Sequence, residues 1–175
     1  MSKSKRVAVN GMLAAVYFAL SFLVVDTGSL KFTFTSLALV VAALLFGPAD
    51  ACAVALVGEL LYQVIIFGVT ATLPIWMVPP VLHALFLGLL ARRLGRERPL
   101  YQRPGCCFAV CLGCALLNTG LNTLALYLDS LYWGYYEAHL VFGLALVRAA
   151  VGLGTAALVA AAAIPLIRAI KGKAG

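Results

Sequence analysis

The chain is a succession of apolar runs, most of them as long as a helix needs to cross a bilayer, with few polar breaks between them. A spanning helix takes roughly 20 apolar residues and each connection a few more, so about six or seven spans use up the whole length. The composition agrees with this reading: 64% of the 175 residues are hydrophobic and 11% charged, with a mean hydropathy of +1.05. Soluble domains do not have this balance. The sequence therefore predicts an all-α integral membrane protein with no room for a soluble catalytic or nucleotide-binding domain.

The breaks predict six transmembrane helices in one membrane domain: about 7–25, 32–46, 48–67, 73–94, 106–128 and 139–170. The first has a basic flank like a signal peptide, but it is longer than a usual signal core. Asp26-Thr-Gly-Ser29 also provides no small-x-small cleavage pattern, so it is read as a retained helix. The second is short for a bilayer, and Gly47-Pro48 separates it sharply from the third, which predicts a tilted or partly immersed helix in a tight hairpin. The sixth is long enough to tilt or to protrude around Pro165. No internal repeat is evident, which disfavours an inverted-repeat carrier.

A formal charge of +7 would suggest nucleic acid in a soluble protein, but the 13 basic residues are not spread over a face. Lys3, Lys5 and Arg6 precede the first run; Arg92, Arg93, Arg96, Arg98 and Arg103 fill the one long polar connection; Arg168, Lys171 and Lys173 close the chain. Basic loops stay cytoplasmic, and an even number of spans places both termini and the Arg-rich connection on that side. The expected extracytoplasmic segments are then Asp26 to Lys31, Gly68 to Thr72 and Asp129 to Glu137. The basic excess reads as orientation, with anionic lipid as its partner and no nucleic acid.

Polar residues at membrane depth are costly and tend to face a cavity or a partner. At a rise of about 1.5 Å per residue, Glu59 lies roughly 15 Å into the third span and Arg148 roughly 12 Å into the sixth. Gln63 is one turn from Glu59 on the same face. Asn118 and Asn122 are an i, i+4 pair on the fifth span, and Trp76, Pro80 and His83 share a face of the fourth. Four spans thus aim polar groups at similar depth, which predicts a cavity open to the outside. Each group has a second reading. Glu59 and Arg148 either meet a ligand or form a buried ion pair, the asparagines either meet it or join helices, His83 either contacts it or packs, and Trp76 is either a wall or part of the interfacial belt.

Cys106, Cys107, Cys111 and Cys114 crowd the start of the fifth span with no histidine or acidic residue close in sequence. They read as small apolar packing residues, so no metal is assigned. No Ser/His/Asp order, His-Glu-x-x-His motif or Gly-rich phosphate loop is present, and one Glu with one His is a thin basis for chemistry. The expectation is a binding protein, not an enzyme, with no cofactor.

Several features in order resemble the substrate-binding S components of energy-coupling factor (ECF) vitamin transporters: a small-residue first helix, a short second one, Leu44-Leu-Phe-Gly-Pro48 running into a third helix with Glu59, and Gly88-Leu-Leu-Ala-Arg-Arg93 before a basic loop. Asn118-Thr-Gly-Leu-Asn-Thr-Leu124 followed by Arg148 is most similar to the folate-type branch. Departures from that branch are Glu59, where Asp is more usual, an apolar Gly68 to Pro80 stretch, and no Lys shortly after Arg148. Pantothenate or riboflavin are the next substrates in line, and a non-transport scaffold resembling MreD is the reading from another class.

The resemblance implies a six-helix S-component bundle in the bacterial plasma membrane that captures a water-soluble vitamin from outside. The bundle associates with a membrane-embedded coupling subunit and two cytoplasmic ATPases, and topples to deliver its cargo. It also implies that Gly11, Ala15 and Ala19, spaced every four residues on one face, dock the coupling subunit, with internal packing as the other reading. The implied substrate residues are Glu59, Tyr62, Gln63, Trp76, His83, Asn118, Asn122 and Arg148, with Asp26 to Phe34 and Gly68 to Leu73 as lids.

Overall fold

The computed structural model describes residues 3–23, 25–26, 31–32 and 34–172. Six α-helices carry the architecture: α1 (Lys3–Phe22), α2 (Ser36–Phe46), α3 (Pro48–Phe67), α4 (Leu73–Leu94), α5 (Pro104–Trp133) and α6 (Ala145–Gly172). A short antiparallel hairpin pairs Val25 with Phe32 and Asp26 with Lys31. The first helix therefore stops at Phe22, short of the expected 25, because the chain turns into strand pairing there. Most of the turn in the expected Asp26 to Phe34 lid lies outside the described residues.

Helix α2 is eleven residues long, and its place in the bundle explains how so short an element is tolerated. Ala38, Leu39, Val40, Val41, Ala42 and Ala43 are all buried, and the helix packs against α1, α3, α4 and α6. It is a central helix enclosed by its neighbours. The remaining helices pack in the order α1, α3, α4, α5 and α6 around it. Their outward faces stay apolar: Leu60 and Ile65 on α3, Phe86 and Leu90 on α4, and Leu124 and Leu158 on α5 and α6 are exposed. In water such faces would be a liability, whereas in hydrocarbon they are the expected solvent boundary.

Four helices, α3 to α6, are long and apolar enough to cross a membrane among the described residues. The expectation of six spans is met only in that part. Helix α1 opens with Lys3, Lys5 and Arg6, which shortens its apolar stretch, and α2 falls below spanning length.

The tight α2–α3 elbow depends on Gly47, whose φ of 96° is a backbone state that L side chains rarely adopt. Against this elbow lies Gly88 of α4, where an added Cβ would come within 2.4 Å of Pro48 Cα. The two motifs quoted from opposite ends of α3 and α4 are thus one close contact. Arg6 clamps the same elbow, donating from Nε to Asp50 Oδ1 at 2.9 Å and from Nη2 to the Phe46 carbonyl at 3.3 Å. The Asp50 carboxylate beside Arg6 raises the guanidinium further above its ordinary value. Beyond α4, Leu100 and Tyr101 of a short 3-10 turn are buried. Arg168 donates to the Tyr101 carbonyl at 3.2 Å and Lys171 sits 5.1 Å from its ring centroid. These contacts gather the basic clusters at one end of the bundle.

Two further differences from the sequence reading concern the opposite end. Helix α5 continues to Trp133, so Asp129 is a buried helical residue and not the start of a loop. The expected sixth helix is interrupted, with a wide π turn at His139–Gly143 before α6 resumes at Ala145.

Candidate functional site

A cavity of about 600 Å³ opens at the end of the bundle opposite the basic clusters. That size suits a small organic ligand, since such sites run to roughly 300–1,000 Å³. Helix α1 contributes Tyr17 and Ser21; α2 and the residue before it give Thr35, Ser36 and Leu39; α3 gives Glu59, Tyr62, Gln63 and Phe67. The opposite wall is Trp76, Pro80 and His83 from α4 with Asn118, Asn122, Asp129 and Trp133 from α5. An adjoining lobe of about 320 Å³ shares Thr35, Ser36, His83, Asn118 and Asn122 with it and is closed by Arg148, Gly152 and Thr155 of α6. Polar residues spaced at i, i+4 on separate apolar helices therefore converge because each helix turns its polar stripe inward, where partners exist, and its apolar faces toward hydrocarbon.

Seven of the eight substrate residues expected from the sequence line the larger lobe, and Arg148 lines the adjoining one. Glu59 is held by two neutral donors: Tyr17 Oη at 2.7 Å on Oε2 and Gln63 Nε2 at 2.8 Å on Oε1. Tyr17 reaches that position because Gly58 clears its path; a Cβ there would lie 2.5 Å from Tyr17 Cδ1. Tyr62 packs edge-on between Phe22 and Phe67, each 6.0 Å away between ring centroids. His83 is buried beside the Asn118 side chain. Asn122 Nδ2 donates to the Asn118 carbonyl at 2.9 Å, while Asn118 Oδ1 is buried with no hydrogen bond.

Arg148 does not pair with Glu59; Arg6 pairs with Asp50 at the other end of α3. The Arg148 guanidinium donates from Nη2 to the carbonyl of Val141, in the π turn, and its Nε is buried without an acceptor. Such wide turns concentrate at functional positions because they leave backbone groups outside the regular ladder. A half-buried cation that meets a neutral carbonyl has unused capacity to bind an anion.

Tyr17 and Asp129 are among the cavity residues that escaped sequence reasoning, as are Ser21, Ser36, Phe67 and Trp133. Tyr17 sits in an apolar run and was eclipsed by the small residues on the other side of the same helix. Asp129 reads from the sequence as the start of a loop, although it follows Asn122 by seven residues and so shares its helical face. Asp129 is 8% exposed and accepts a hydrogen bond from Tyr135. Thr72 and Trp76 also lie beside it, and Trp133 Nε1 donates to Thr72 Oγ1 at 3.4 Å. Partial burial and the neighbouring carboxylate push the Tyr135 phenol up to about 12, so it remains a donor at neutral pH.

Gly11, Ala15 and Ala19 are exposed, whereas Ala14 and Tyr17 on the other side of α1 are buried. An added Cβ at Gly11 would meet nothing within 4 Å. Among the described residues, then, nothing packs closely on the small-residue face. Among the described residues no cluster of His, Cys, Asp or Glu is arranged to hold a metal, and Cys107, Cys111 and Cys114 are buried packing residues.

The family model described as ECF transporter, substrate-specific component, matches residues 5–170 of the chain. No curated protein matches it.

Proposed function

The chain belongs to the family of ECF transporter substrate-specific components, and from that premise we propose that it captures a water-soluble vitamin, folate-type first, from outside a bacterial cell. The observation that carries this reading is a cavity of about 600 Å³ between apolar helices, open at one end and lined by polar and aromatic side chains. A scaffold protein has no use for such a cavity, and burying polar groups around it without a ligand is costly. Glu59, Gln63, Asn118, Asn122 and His83 meet the polar edges of the bound molecule. Tyr62 and Trp76 cover its faces, and Arg148 attracts its anionic group. Pantothenate and riboflavin stand next as substrates.

In this arrangement α1 and α2 complete a six-span bundle with both termini and the Arg-rich connection in the cytoplasm, as basic flanks favour. The exposed Gly11, Ala15 and Ala19 face lets a second helix approach closely and docks the coupling subunit. Two cytoplasmic ATPases power the toppling that releases the cargo inward. The segment from Gly68 to Leu73 borders the cavity through Thr70 and Thr72 and serves as a lid with the hairpin.

Both tryptophans of the chain, Trp76 and Trp133, line the cavity, so their fluorescence reports on occupancy. Titrating the purified protein with folate, and then with other vitamins, should give saturable quenching and thermal stabilisation with one of them. Absence of both signals across the panel, in a protein that still melts cooperatively, would reject the reading.

A further inference from the structure

The two lobes of the cavity carry opposite charges that the described residues leave uncompensated. Glu59 and Asp129 line the larger lobe, and no lysine or arginine accompanies them among the described residues. Arg148 lines the other, with no acidic residue beside it among those described. The donors on the carboxylates are neutral: Tyr17 and Gln63 on Glu59, and Tyr135, Thr72 and Trp76 on Asp129. They orient the carboxylates without cancelling charge. An ionised carboxylate offers about four lone-pair sites, so two donors leave Glu59 about half of its acceptor capacity and three leave Asp129 about one site. Arg148, for its part, meets a neutral carbonyl and leaves Nε unpartnered. Charges held apart inside an apolar bundle are expensive. A molecule carrying the complementary charges in the complementary order would relieve both ends at once.

The shapes of the lobes add to this. Phe67, Tyr62, Trp76 and Trp133 give the acidic lobe aromatic faces, which suit a flat ring and attract positive charge. The basic lobe is walled by Gly152, Thr155 and Ala156, leaving space around the guanidinium. We propose that Asp129 is a second ligand-facing carboxylate, acting with Glu59 to select a planar heteroaromatic group that bears N–H donors or positive charge, while Arg148 holds an anionic group at the other end of the same molecule. The inference rests on the reading of the cavity as the substrate site and defines the substrate class as an amphoteric heteroaromatic compound. An acyclic anion or a neutral ring satisfies one lobe at most.

The test uses tryptophan quenching, cross-checked by thermal stabilisation, on the purified full chain with four probes. Folate joins an amino-bearing heterocycle to carboxylates, thiamine has a cationic ring without an anion, riboflavin has a ring without formal charge, and pantothenate has a carboxylate without a ring. Folate should bind at least ~10-fold more tightly than the other three, the scale of one charged hydrogen bond. Asp129→Asn should weaken folate by at least ~10-fold, whereas Tyr135→Phe, which removes the clasp but keeps the carboxylate, should change it by less than about 3-fold. If thiamine, riboflavin or pantothenate binds more tightly than folate, the amphoteric class is wrong while the cavity remains a substrate site. That ranking needs no variant to fold. Unchanged folate affinity in Asp129→Asn, or equal losses in Asp129→Asn and Tyr135→Phe, would reduce Asp129 to a structural clasp and overturn the proposal. Silence from all four probes in a cooperatively melting protein would remove the substrate reading itself and this inference with it.

Discussion

Replacing Arg148 with methionine should separate ligand binding from folding, because the unliganded protein gives this cation little to hold. Its guanidinium makes one hydrogen bond, to the Val141 carbonyl, and leaves a buried Nε unpartnered. Losing a charged hydrogen bond costs about 1.5–3 kcal/mol. Removing an arginine from membrane depth returns about 2.5 kcal/mol or more on insertion scales. Methionine keeps much of the stem's packing volume, so the two effects nearly offset, and the unliganded melting temperature should shift by no more than about 3 °C. The bound state loses an ion-assisted contact that only the ligand completes, again about 1.5–3 kcal/mol, which corresponds to roughly 10- to 150-fold in Kd. Fluorescence titration with the vitamin that saturates the wild type, run beside a thermal melt without ligand, measures both quantities on one sample. An unliganded protein that collapses while residual binding per folded molecule is unchanged would refute the reasoning and make Arg148 a structural residue.

Gly58→Ala places a methyl 2.5 Å from Tyr17 Cδ1, so Tyr17 must withdraw from Glu59; a destabilisation of about 1–3 kcal/mol with weakened ligand binding is expected from melts and titrations. Gly88→Ala meets the backbone of Pro48 at 2.4 Å, where nothing can rotate away. Its melting temperature should fall by at least as much as that of Gly58→Ala, while ligand affinity per folded molecule changes less because the contact lies away from the cavity. Ala15→Leu enlarges an exposed position and should block co-purification with the coupling subunit and ATPases while leaving the vitamin titration unchanged; intact assembly would reject the docking face.

Much of the architecture is legible from local signals. Helices α3 and α4 are bracketed by Gly47-Pro48, by Gly68 and by the Arg92-Arg93 pair before Gly95. Glycine and proline punctuate a helix wherever they stand, independent of neighbours. Asp129 misled the sequence reading because a carboxylate in an apolar run resembles an exit from the membrane. It stays inside the helix because Tyr135 folds back to meet it, a contact made by residues beyond the end of α5.

The amino-acid sequence by itself determined the solvent of this protein and the depth of its polar groups, because apolar length, basic flanks and a fixed rise per residue are properties of each segment alone. Tertiary structure decided which way each helix faces. Lipid tails are as apolar as a protein interior, so helices that are hydrophobic all round do not record which side meets lipid and which meets a neighbour. Only packing could enclose α2 at the centre, bring Tyr17 across to Glu59, and hold Arg148 in a lobe apart from the carboxylates.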